Sequence, residues 1–182
     1  MTGSTLNMHY TIADPKTFGI SEYEPVLPIY HSGQPEDRKE HCSDLLHRLD
    51  RIDPDRLSPE NAYTYRLLHR SLENDLALAD FPYYNEPLSP SSGMQSQLPV
   101  LLAEYTFRTK RDVTDYLALL DQIDDYFASL LLYEQEKAAA GFFMPACSSE
   151  KVRKQCDTIV TTEELAQGTH FLQTTFEDRL SE

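Results

Sequence analysis

Long apolar runs are missing from this 182-residue chain: its apolar stretches are only a few residues, as in Leu130-Leu131-Leu132, far short of the roughly 20 that cross a bilayer. A membrane span is therefore not expected. Tryptophan is absent and glycine contributes only 6 residues, while 40% of the chain is apolar and 25% charged, so the sequence is neither fibrous nor of low complexity. Basic side chains are scarce, 16 against 30 acidic, and the net charge of −14 repels a phosphate backbone. Nucleic acid and anionic membranes are thus disfavoured as partners. Cysteine is limited to Cys42, Cys147 and Cys156, an odd and widely spaced set that argues against a disulfide framework or a four-cysteine zinc site. These read as buried or idle thiols. The opening Met1-Thr2-Gly3-Ser4-Thr5 lacks the basic end and apolar run of a signal peptide, so export by that route is not expected.

What is present is helical periodicity. The length suits one domain or a large piece of one, and a compact chain of this size buries roughly 70% of its unfolded surface. The first thirty residues are rich in proline and aromatics, as in Tyr23-Glu24-Pro25-Val26-Leu27-Pro28-Ile29-Tyr30, which excludes a regular helix there. They read as an extended segment over 1–34, preceded by a short helix around Ser4 to Tyr10, with a helical domain over 35–182. From Pro35, Leu45, Leu46, Leu49 and Ile52 recur at helical spacing up to Asp53-Pro54. Ser58-Pro59-Glu60 is a helix-start signal, and Tyr65, Leu68, Leu72 and Leu76 carry a second helix to about Asp80. An irregular loop follows near 81–94, and loops of that length inside compact domains are often functional. A short helix limited by Pro99 is predicted over Gln95–Tyr105.

The strongest helical pattern opens at Thr109-Lys110-Arg111-Asp112, a cap with an acid three residues on. Val113, Tyr116, Leu120, Ile123, Phe127 and Leu130 then predict one long helix near 109–140, stopped by Gly141 and Pro145. Ser149 to Val160 is a further helix, and Thr162 to Leu180 is helical in pieces around Gly168. The terminal stripe of Phe171, Leu172, Phe176 and Leu180 needs apolar partners, supplied either by preceding helices or by a continuing polypeptide. No strand alternation appears, so the fold class is all-α.

Chemistry-bearing constellations are sparse. Six histidines, His9, His31, His41, His47, His69 and His170, include no pair at the i, i+4 spacing of a helical zinc hydrolase. His69 and Glu73 supply two ligands where zinc sites take three or four, and read as a solvated pair. His41 and Cys42 are adjacent, so a helix points them about 100° apart and prevents a dyad. Asp121, Asp124 and Asp125 read as an acidic solvent face. The aromatics Tyr83, Tyr84, Tyr105, Phe107, Tyr116, Tyr126 and Phe127 read mostly as core, the remainder as a groove lining for an amphiphilic ligand.

Within Leu78 to Tyr105, the string Phe81-Pro82-Tyr83-Tyr84-Asn85-Glu86-Pro87-Leu88-Ser89-Pro90-Ser91-Ser92-Gly93-Met94-Gln95-Ser96-Gln97 resembles the amino-terminal half of a bacterial family catalogued as domain of unknown function 885. The stretch from Leu6 to Pro15 and Glu136-Lys137-Ala138-Ala139-Ala140-Gly141 are similar to the same family. The resemblance implies a large helical protein, zinc metallopeptidase-like, with its histidine–glutamate–histidine motif in a carboxy-terminal half beyond this chain. Relatives are often exported or associated with the cell envelope, so the compartment of this chain stays open. On this reading the chain carries no catalytic residue, metal ligand or cofactor, and zinc is expected only in the missing half. Tyr84, Ser89, Ser92, Gly93, Gln95 and Gln97 are the substrate-cleft candidates. Partners are the carboxy-terminal half of the same polypeptide or a second copy, with a peptide as substrate. The alternative is a free-standing helical interaction module without enzymatic activity.

Overall fold

The computed structural model describes residues 5–12, 14–30 and 35–181. Its α-helices are α1 (Thr5–Thr11), α2 (Pro35–Leu49), α3 (Pro59–Leu78), α4 (Met94–Ala103), α5 (Lys110–Leu120), α6 (Ile123–Ala139), α7 (Ala146–Ile159), α8 (Thr162–Gln167) and α9 (Phe171–Ser181), with 3-10 turns at Pro15–Phe18 and Pro54–Arg56. No strand occurs among the described residues. Ser4 and His31 lie outside them. The chain divides into two compact units, Met1–Tyr30 with Glu86–Glu182, and His31–Asn85.

Local chemistry explains the second unit. The Asp53 carboxylate accepts the N–H of Asp55 and starts the 3-10 turn, and the Ser58 hydroxyl accepts the N–H of Asn61 to start α3. The turn reverses the chain so that α3 runs back along α2. Ion pairs Arg38–Asp75 (3.1 Å) and Lys39–Asp80 join the two helices at the α3 carboxyl end. Two helices alone enclose little: α3 has no buried residue over its twenty positions.

The larger unit has a true core. Leu98 and Leu102 of α4, Tyr105, Tyr116 and Leu119 around α5, and Tyr126 of α6 pack with Leu6 of α1 and Leu27 of the extended segment. Each such side chain contributes roughly 1.5–3 kcal/mol on burial. The terminal stripe finds its partners within this unit: Phe176 stacks on Tyr116 (centroids 5.5 Å apart, 19° between planes) and meets Phe107 edge-on. Leu172 joins the same cluster, while Leu180 stays exposed. Pro99 does not end α4, which runs on to Ala103. Pro99 lacks the N–H that would bond the Gln95 carbonyl, and burial of Leu98 and Leu102 on the same helix offsets that loss.

The long helix expected over 109–140 is two helices, α5 and α6, broken at Asp121-Gln122. Gln122 is the cause. Its side-chain amide donates to the carbonyl of Ala118 one turn back (2.9 Å), while its own N–H turns to Leu119, three residues back (3.2 Å). The same amide donates to the Pro25 carbonyl (2.8 Å) and its oxygen accepts the Leu27 N–H (2.9 Å). The break therefore frees a side chain to grip the extended segment, whose prolines leave it no regular hydrogen-bonding partner of its own. Tyr30 extends the grip, its N–H donating to the Ser129 hydroxyl (3.1 Å) and its ring meeting Tyr126 and Tyr133.

Replacing Gln122 by alanine strands the Leu27 N–H and the Pro25 carbonyl. With a partly buried unsatisfied group costing about 1–3 kcal/mol, urea denaturation is expected to show a loss of about 2 kcal/mol.

Candidate functional site

The loop ahead of α4 is fixed from inside by side-chain amides. The buried Gln95, 2% exposed, donates through Nε2 to the Ser89 carbonyl (2.7 Å) and to Gln155 Oε1 on α7 (2.9 Å). Gln155 in turn donates to the Pro90 carbonyl (2.9 Å). Between these anchors, the Ser92 N–H donates to Ser89 Oγ (3.2 Å), the Gly93 N–H to the Ser89 carbonyl (3.1 Å) and the Met94 N–H to the Pro87 carbonyl (2.9 Å). At the loop's start, Glu86 pairs with Lys137, a lysine of α6 that is 3% exposed.

Gly93 is needed for space. Its φ of −72° is open to any residue, but a Cβ there would lie 2.0 Å from Gln95 Oε1 and 2.3 Å and 2.5 Å from the Ser89 backbone N and O. Any side chain would push the Ser89 backbone off the clasp. At the same position the Gly93 carbonyl accepts the N–H groups of Ser96 and Gln97, both at 3.0 Å, and the Ser96 hydroxyl at 3.0 Å, which starts α4 without a capping side chain.

Of the residues singled out from sequence, Ser89, Ser92, Gly93, Gln95 and Gln97 thus come together around one clasped turn. Gly93 and Gln95 are buried, Ser89 is half-buried, and Ser92 and Gln97 are exposed. Tyr84 is 77% exposed and belongs to the other unit. His69 and Glu73 do face each other, Nδ1 to Oε1 at 3.6 Å, but His69 Nε2 is directed to Asp50 Oδ1 at 3.2 Å. The two carboxylates lie on different ring nitrogens, so they do not converge on one point. Cys42 is buried while His41 is exposed, and Asp121, Asp124 and Asp125 are all exposed. Among the described residues no three His, Cys, Asp or Glu side chains gather in a way that could hold a metal ion.

Sequence reasoning missed several buried polar groups outside the clasped turn. Glu134 of α6 is 5% exposed, and neither carboxylate oxygen has a hydrogen-bond partner among the described residues. Burial pushes its pKa up and pulls that of Lys137, three residues on, down. His170 is a satisfied core histidine: Nε2 bonds the Ile159 carbonyl (2.9 Å) and Nδ1 accepts the Leu172 N–H (3.3 Å), which seats α9 on the end of α7. His9 of α1 is buried against Tyr105, with Asp112 beyond it. Asp112 is the one member of this group with a sequence signal, because the Thr109–Asp112 capping box forms as expected. Glu134 sits on the spacing Tyr126, Leu130, Lys137, a buried stripe that the apolar pattern alone does not extend to charged residues.

The family described as "Bacterial protein of unknown function (DUF885)" matches residues 16–181. The match takes in the clasped loop and every helix from α2 to α9, while α1 precedes it. No curated protein and no solved structure matches the chain.

Gly93→Ala is expected to lower the thermal midpoint sharply, by the several degrees that about 2–3 kcal/mol of overpacking produces in a domain of this size, and Gly93→Ser no less. Glu134→Gln should act in the opposite sense. Below the ordinary glutamate pKa both folded and unfolded chains are protonated and the buried acid costs nothing; as pH rises past it, only the unfolded carboxyl ionises freely and stability falls. Melts at pH 7 should therefore show Glu134→Gln above the parent chain, and melts near pH 4 should show the two together.

Proposed function

The chain belongs to the DUF885 family of bacterial proteins, and from that premise we propose that it is the non-catalytic amino-terminal helical portion of a metallopeptidase-like protein. Its work is to scaffold, and the turn at Ser89 to Gln97 forms part of a substrate-cleft wall. The observation that carries this reading is the clasp itself. Gln95 and Gln155 hold the turn from within, so that Ser92 and Gln97 are presented to solvent from a backbone that is already fixed. Polar groups held rigidly on a supported turn are what recognition of an extended peptide needs, because little ordering entropy remains to be lost on binding.

Zinc, in this reading, is held by a carboxy-terminal half of the same polypeptide. Among the described residues no three ligands gather, and the His69 nitrogens address separate carboxylates, so those side chains do not fit it. Its partners are then that half and the peptide substrate. No helix of the described residues is long and apolar enough to cross a membrane.

A second reading, a free-standing interaction module, is favoured by a specific feature of the α2–α3 hairpin. An apolar groove of about 400 Å³ opens there between Leu45, Leu49 and Ile52 on one side and Leu68 and Leu72 on the other, with Arg48 and Ser71 in its lining. Leu68 in its wall and the neighbouring Leu67 are more than half exposed.

For the first reading, alanine at the positions equivalent to Ser92 and Gln97 in a full-length member of the family should raise KM for a peptide several-fold at an unchanged melting temperature. Unaltered KM and kcat would sink the cleft-wall role. For the second, sedimentation equilibrium of this chain should show self-association that Leu68→Asp abolishes; a monomer at all concentrations would count against a second copy in that groove.

A further inference from the structure

Helix α1 has seven residues, too few to stand alone in water, so it exists only while docked. Leu6 and Met8 are buried, Leu6 in the core of the larger unit, and the Tyr10 hydroxyl donates to the Leu101 carbonyl. A further attachment is His9, 7% exposed, whose ring lies flat on Tyr105 with centroids 3.7 Å apart and 8° between planes. Tyr105 is itself almost wholly buried, and its carbonyl is held by Arg179 (2.8 Å). The histidine therefore rests on a buried, hydrogen-bonded platform.

The ring's two nitrogens meet different surroundings. Nδ1 lies 3.8 Å from Asp112 Oδ1, and the Thr106 backbone offers the ring an acceptor. Nε2 is buried with no partner among the described residues. A neutral imidazole satisfies this site, because one nitrogen can donate and the other carries no proton. An imidazolium does not, because it would bury a second N–H with nothing to receive it.

The charged groups around the ring do not offset that. Arg108, in the turn before α5, opposes a second positive charge; Asp112 and Asp115 of α5 favour one. Both acids are partly engaged, and the Asp112 oxygen nearest the ring, Oδ1, lies beyond hydrogen-bond distance at 3.8 Å. Asp112 Oδ2 accepts the N–H groups of Arg108 (2.9 Å) and Thr109 (2.6 Å) and the Thr109 hydroxyl (3.0 Å), and Asp115 faces Arg111 (3.4 Å). Tyr105 and Tyr10 remain neutral phenols, Tyr10 pushed up to about 12 by burial and Glu104. Burial comes first among the causes that lower the His9 pKa, and Arg108 second.

We propose that α1 is a detachable strap that stays seated on Tyr105 only while His9 is uncharged, so that mild acid releases it and bares the groove of Leu98, Leu102, Tyr105 and Tyr116 beneath. The sign follows from the geometry. The docked state refuses the proton that the free segment accepts near pH 6.5, so docking is complete above that pH and weakens as pH falls below it.

The test is hydrogen exchange of the full chain at pH 7.5 and pH 5.5, corrected for intrinsic rates. Protection over residues 5–12 should fall several-fold relative to α4 and α5, because only the released segment takes up the proton as pH drops. His9→Phe keeps a flat ring for Tyr105 and cannot be protonated, so its strap should hold equally at both pH values. Equal protection in the parent at both pH values, parallel loss across α4 and α5, or the same acid sensitivity in His9→Phe would each overturn the proposal. Should His9→Phe fail to fold, the ring protons of His9 in the parent chain decide: titration below the ordinary histidine value supports the strap, and titration at or above it refutes it.

Discussion

The grip of the Gln122 side chain on the Pro25–Leu27 backbone is the joint on which the larger unit depends. One amide satisfies three backbone groups: the carbonyls of Pro25 and Ala118 and the N–H of Leu27. A proline-rich segment cannot supply its own ladder, and an extended stretch buried without partners would be costly. By interrupting what would otherwise be one helix, Gln122 provides those partners and lets Leu27 enter the core that Leu98, Leu119 and Tyr126 build. The break between α5 and α6 and the docking of the extended segment are one event.

The same device recurs at the clasped turn. Gln95 and Gln155, sixty residues apart in sequence, hold Ser89 and Pro90 by hydrogen bonds from their side-chain amides, and neither carries charge. In a chain of net charge −14, further carboxylates inside the unit would need cations to balance them. Glu134 shows what happens without one, since its burial raises its pKa. An amide both donates and accepts, so it can tie two backbone segments together at no electrostatic cost. Lys137 with Glu86 is the charged counterpart of these ties, and its ammonium is correspondingly harder to keep protonated.

Local chemistry was legible in the sequence, and long-range chemistry was not. Ser58, Thr109 and Gly141 marked helix ends through hydroxyl caps and a left-handed glycine, and each sits where those rules put it. The break at Gln122 was not visible, because glutamine is an ordinary helix former and its reason for breaking the helix lies 95 residues away at Leu27. The candidate turn was legible as a polar glycine-containing loop, yet the function of its parts was not. Gln95 and Gly93 both read from sequence as residues lining a substrate cleft; Gln95 is the internal tie, and Gly93 is a place where no side chain fits. His9 sits in a short segment with no periodicity to reveal that its ring is covered.

The hairpin of α2 and α3 carries a different consequence. With no residue of α3 buried, its two helices are joined by a thin apolar seam and by ion pairs that water largely screens. Unfolding such a pair exposes little new surface, so it takes up little extra heat capacity and gives a shallow response to denaturant. The hairpin is therefore expected to melt gradually where the tyrosine-rich unit melts abruptly, and a protease to find its first cuts there.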